Sequence, residues 1–150
     1  MARRKVRELA FRTLFQAERG DEPLLEVWAD VREDLSGQEV EDAEEAYGDV
    51  LDAEGIRFAE RLLRNFAANR EEVDKQLGET LEGWTFTQMA QTDLTVLRIA
   101  LTEFLYEDDV PKEVTIEVAV RIAKRFGGEE SGRFVNGVLA KLYRQLEVAT

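Results

Sequence analysis

The first twenty residues, MARRKVRELAFRTLFQAERG, carry six basic groups (Arg3, Arg4, Lys5, Arg7, Arg12, Arg19) against two acidic ones, Glu8 and Glu18. Drawn as a helix, Arg4, Lys5, Arg12 and Arg19 fall opposite the stripe of Val6, Leu9, Ala10 and Leu14, with Arg7 on its flank. Phe11 and Phe15 fall on the basic side. Phosphates are held by cations spread along a surface, and unpaired bases stack on flat apolar rings. This helix can offer both to single-stranded RNA, with Arg4, Lys5, Arg7, Arg12 and Phe15 as the candidates. The same residues also describe a solvated charged face with two rings tucked into a second core contact, and both readings stay open here.

A second cluster runs from Phe126 to Gly137. Arg133-Phe134 puts a cation beside an aromatic in the first turn of a helix, where free backbone N–H groups favour an anion. It reads either as a further RNA contact or as an exposed arginine beside a core phenylalanine. Asn136 and Gly137 are weak helix formers, Gly costing about 1 kcal/mol relative to Ala. Close helix packing, with Asn136 bonding a loop, is the favoured account of that pair. Asp93 stands at the head of an apolar helix, where a carboxylate complements the free N–H groups.

Other chemistries are excluded by what the chain lacks. It has no cysteine and no histidine, which removes thiol chemistry, disulfides and the usual neutral-pH acid/base. Ser36 and Ser131 sit in no nucleophile motif. The pairs Glu44-Glu45 and Glu129-Glu130 lack calcium-loop spacing and any neighbour that would split their pKa values. No phosphate-binding glycine loop of the P-loop type exists. The expectation is a non-enzyme with no metal and no cofactor.

The 150 residues suit one domain, and 44% hydrophobic content is ordinary for a folded one. The net charge of −12 would argue against nucleic acid as an average, but the charge is segregated. Residues 121–144 again hold six basic groups against two acidic, whereas residues 21–55 hold fourteen carboxylates and one arginine, Arg32. No apolar run nears the roughly 20 residues that span a bilayer. The charged start leads into no signal-peptide core, so a cytoplasmic protein without a membrane role is expected.

Periodicity predicts an all-α fold of six or seven helices. The first spans about Arg4 to Arg19, stopped by Gly20-Asp21, and Pro23 opens the second. Residues 36–54 read as an acidic loop or loose helix extension. Ile56 to Phe66 and Val73 to Leu81 supply two more helices. Thr85 to Gln88 has the form of a capping box before the longest apolar run, Leu94 to Leu105, read as the central buried helix. Val114, Ile116, Val118 and Val120 alternate as a strand would, but the four-residue steps continue to Ile122 and Phe126 and favour a helix from Pro111. The last helix begins near Ser131 as N-cap.

In order and spacing, these blocks resemble the NusB family. The resemblance rests on the basic opening helix and Gly83-Trp84, then Thr92-Asp93 and Leu97-Arg98-Ile99-Ala100 with Glu103. Val110-Pro111-Lys112, Ala123-Lys124-Arg125-Phe126-Gly127 and Phe134-Val135-Asn136-Gly137-Val138-Leu139 follow. It covers nearly the whole chain except about residues 36–54. It implies two small, roughly perpendicular helical bundles. It also implies binding of the boxA element of ribosomal RNA leaders, jointly with NusE, a small-subunit ribosomal protein, in an RNA polymerase antitermination complex. Family RNA contacts carry over to Arg3, Arg4, Lys5, Arg7, Arg133 and Phe134. Asp93 matches a position associated with NusE, and Glu130 an acidic loop position beside the RNA surface. Leu94, Glu117-Val118 and Ala140 depart from the family pattern. A NusB-like domain also fronts an RNA cytosine methyltransferase, but without a cysteine or a glycine-rich cofactor unit this chain is not expected to methylate. A homodimer, or a helical protein-binding scaffold without specific RNA recognition, is the alternative.

Overall fold

A computed structural model describes residues 3–37 and 51–148. Among them are seven α-helices and no strand: α1 (Arg4–Gly20), α2 (Leu24–Gly37), α3 (Ala53–Ala68), α4 (Arg70–Thr80), α5 (Gln91–Tyr106), α6 (Lys112–Gly127) and α7 (Glu129–Val148). A 3-10 turn, Phe86–Gln88, precedes α5. The β-branched run from Val114 to Val120 is helical, because Val118, Ala119, Ile122 and Ala123 gain a common buried face only at helical spacing.

In α1 the residues Val6, Ala10, Leu14 and Ala17 recur every three or four positions and are at most 2% exposed. Gly20 is the last helical residue; it is Asp21 that takes the left-handed φ of 50°, while the Glu22 N–H donates to the Ala17 carbonyl at 2.9 Å. Aspartate is one of the few non-glycine residues that tolerate that conformation. The expected acidic loop is trimmed at both ends, since α2 reaches Gly37 and α3 starts at Ala53. Its middle, 38–50, lies outside the described residues. Asp52 caps α3, its Oδ1 accepting the Gly55 N–H at 2.8 Å.

Helices α1, α2 and α3 pack on one another, and α6 with α7 forms the most extensive helix pair. Helix α5 joins the two groups, touching α1, α3, α4, α6 and α7. Every residue from Leu94 to Phe104 is buried, as its all-round apolar pattern requires. Four of them are polar, and each has a partner. The Thr95 and Thr102 hydroxyls donate back to the Gln91 and Arg98 carbonyls at 2.7 Å, Arg98 grips Asp74 at 2.9 and 3.0 Å, and Glu103 takes Arg7.

Three local expectations are corrected. The Thr85–Gln88 box, closed by the Thr85 N–H on Gln88 Oε1 at 2.9 Å, caps the 3-10 turn rather than the central helix, which starts at Gln91. Ser131 lies inside the first turn of α7, its hydroxyl donating to the Gly127 carbonyl at 3.2 Å, because Gly128 with φ 93° makes the turn three residues earlier. Gly137 does not mediate close packing: it is exposed, with no atom within 4 Å of where a Cβ would sit, and Asn136 is exposed beside it. The close approach is at Gly132 instead, where a Cβ would meet Lys124 Cγ at 2.5 Å.

Candidate RNA-binding surface

Burying one side of α1 sorts its charges. Arg7 and Glu8 fall on the buried side, 4% and 6% exposed, and Arg12 and Arg19 on the open one. Arg7, expected among the RNA contacts, is turned into the core. Its guanidinium points inward, with Nε donating to Glu103 Oε1 at 2.8 Å and Nη2 to Oε2 at 2.7 Å. It also lies 5.2 Å from the Phe58 ring centroid, and its Nη1 donates to the Arg3 carbonyl at 3.3 Å. A guanidinium so committed has no outward face for a phosphate.

Arg3 turns toward α3, its Nη2 donating to Asp52 Oδ1 at 2.7 Å. A Cβ on Gly55 would lie 2.7 Å from that nitrogen, so glycine leaves the room that Arg3 occupies. The Arg3 hydrogen bond, followed by that of the Gly55 N–H, holds the Asp52 carboxyl below its ordinary value. Arg4 is half-buried and donates to Glu8 at 3.3 Å, and Lys5 is half-buried beside it. Arg12 is exposed, 5.2 Å from the Phe126 ring centroid. Phe15 is half-buried under Arg19, whose guanidinium lies 5.6 Å from its ring.

The second expected wall is at the start of α7. Arg133 is exposed, and Phe134 is half-buried with its ring 5.6 Å from that of Trp84. Trp84 is 51% exposed in the loop after α4, where Gly83 takes φ 80°. Sequence reasoning gave Trp84 no role; a tryptophan following a left-handed glycine in a polar loop was the available signal. Glu130 is exposed in the first turn of α7. Asp93 lies in the first turn of α5, where the helix N-terminus favours its charge, and its Oδ1 is buried without a hydrogen-bond partner. The result is an outward row of cations and rings on α1, and a cation with an aromatic pair on α7.

The sequence model of the NusB family matches residues 4–144, from the start of the basic helix to near the end of α7. The chain belongs to the NusB family. Transcription antitermination protein NusB of Thermus thermophilus is 53% identical over 144 residues, covering 96% of this chain and 91% of that protein. The Deinococcus deserti protein of the same name is 47% identical over 147 residues, 98% and 83% of the two chains. A solved structure of T. maritima NusB has a TM-score of 0.77 at 34% identity, covering 96% of this chain and 92% of that one. The crystal structure of antitermination factors NusB and NusE in complex with dsRNA has a TM-score of 0.76 at 21% identity, over 96% and 97%, and speaks for the NusB fold alone. Among the described residues no helix is long and apolar enough to cross a membrane.

Proposed function

We propose that this NusB-family chain binds boxA RNA jointly with NusE as a non-catalytic antitermination factor, in the cytoplasm and within an RNA polymerase complex. The observation that carries the reading is the match over residues 4–144 to a family whose relatives are named for antitermination, with cations and rings facing outward at both expected walls. Arg4, Lys5, Arg12 and Phe15 hold one side of the RNA, and Arg133 and Phe134 the other. Arg3 borders the surface at the start of α1, where it turns toward α3. Arg7 supports it from beneath. Asp93 and Glu130 face NusE.

The test is a titration of boxA-like against scrambled RNA, with and without NusE. The expected result is salt-sensitive binding that favours boxA and tightens with NusE, since neutralised phosphates release counterions. Equal binding of both RNAs, unaffected by NusE, would reduce the surface to a non-specific basic patch.

A helical scaffold is favoured by one observation, the engagement of Arg3 by Asp52. In that reading the basic face is closed by carboxylates or by a second copy of the chain. Sedimentation with and without RNA separates the two: a dimer that binds no RNA is the scaffold's signature.

A further inference from the structure

Phe126 belongs to the apolar stripe of α6 by sequence, yet it is 36% exposed. One side of its ring is taken by Phe11, stacked with centroids 5.1 Å apart and planes 30° from parallel. Two guanidiniums approach it, Arg12 from α1 at 5.2 Å and Arg125 from its own helix at 5.3 Å. Arg125 is also held by both oxygens of Glu8 at 3.0 Å, and half of its side chain remains exposed. Glu8 receives Arg4 as well. Two guanidiniums therefore share one buried carboxylate, and Arg12 adds a third cation that has no ion pair among the described residues.

We propose that Arg125 and Phe126, together with Arg12, form a nucleotide shelf that continues the RNA surface from α1 across the end of α6 to the start of α7. The proposal rests on the RNA-binding reading. A phosphate needs fixed cations in excess of carboxylates, and a base needs an exposed ring or guanidinium plane. The shelf offers both within one side chain's reach. Glu8 acts as the clamp that fixes the Arg125 guanidinium, so little rotamer freedom is lost on binding. Beyond Phe126 the surface opens at Gly128, where a Cβ would have nothing within 4 Å, whereas at Gly127 it would run into the Ser131 hydroxyl. Arg133 is also exposed, near the start of α7. An acidic peptide could use the cations but would leave the ring idle.

The test is fluorescence anisotropy of the full chain with labelled single-stranded RNA, boxA-like and scrambled, over a range of salt. Phe126→Leu keeps apolar volume and removes the ring; it should weaken both RNAs about tenfold. Arg125→Gln should lower the slope of log affinity against log salt by about 0.7, and Arg125→Lys should restore it. Arg64→Gln, the same charge change on α3, should leave the slope alone. Thermal melting checks the fold, and if Phe126→Leu melts early, the Arg125→Gln slope decides. Wild-type affinity and slope in both variants would overturn the shelf while leaving the boxA reading intact. Equal wild-type binding to boxA and scrambled RNA would fail the boxA reading, yet slope losses on scrambled RNA would still support the shelf. Variants that bind RNA normally but lose NusE would make this face a protein interface and overturn the proposal.

Discussion

Arg7 on α1 and Glu103 on α5 form a bidentate ion pair at 2.7 and 2.8 Å, with 5% and 1% of their side chains exposed. Thr115 of α6 donates its hydroxyl to the same carboxylate, and Phe58 of α3 lies against the guanidinium. Four helices thus meet on one pair of charges. The pair pins the hidden side of α1 against the central helix, which fixes the direction in which Arg4 and Arg12 point.

Removing one partner of such a pair strands the other in the core. Arg7→Ala should destabilise the fold by about 3–5 kcal/mol, read by urea denaturation. Arg7→Met combined with Glu103→Leu removes both charges at similar volume and should recover most of that stability, less the cost of the Thr115 hydroxyl losing its acceptor. That double variant should also keep RNA affinity close to wild type. A stable double variant with a tenfold loss in RNA affinity would put Arg7 back among the direct contacts.

The other cations of the proposed track should behave differently. Arg4→Ala, Lys5→Ala and Arg133→Ala should each lower the salt slope of single-stranded RNA binding by about 0.7, with melting temperature little changed for the exposed Arg133. Arg3→Ala should have a mixed effect, because Arg3 also binds Asp52 at the cap of α3. A slope unchanged in all four would move the phosphate track elsewhere.

The two α7 glycines should respond in opposite directions. Gly137 has open space around its missing Cβ, so Gly137→Ala should stabilise by about 0.5–1 kcal/mol through helix propensity alone. At Gly132 a Cβ would meet Lys124 Cγ at 2.5 Å, so Gly132→Ala should lower the melting temperature by driving the Lys124 side chain out of its packed rotamer. Stabilisation by both would contradict the close approach at Gly132.

What was legible beforehand follows from which forces are local. The helices around Leu62, Leu97 and Leu139 were readable because each apolar stripe repeats at helical spacing. So was the central place of α5, since only a buried helix is apolar all round. The flank position of Arg7 was legible, but its burial was not, because its partner is 96 positions away and a helical projection contains no Glu103. Phe126 was misassigned for the same reason: it shares the register of Ile122, but α6 ends there and leaves the ring over α1. Gly132 and Gly137 look alike in sequence and differ only in whether Lys124 stands opposite.

Acid should loosen the α2–α3 contact at Trp28 only below the ordinary glutamate range. The buried Trp28 indole donates Nε1–H to Glu60 Oε1 at 2.8 Å, and Arg32 donates to the same oxygen at 2.7 Å. The indole hydrogen bond, then Arg32, pulls the Glu60 carboxyl below its ordinary 4.5. A depressed folded value means that the stabilisation is complete above the unfolded value and is lost as pH falls through the folded one. In a Trp84→Phe background the fluorescence of Trp28 should therefore hold steady down to the ordinary glutamate range and shift only below 4.5. Glu60→Gln retains an oxygen that accepts the indole N–H but cannot titrate, so this step should vanish while the far-UV circular dichroism stays helical. A Trp28 transition at or above 4.5 in the Glu60 protein, or one that persists in Glu60→Gln, would place the titrating group elsewhere.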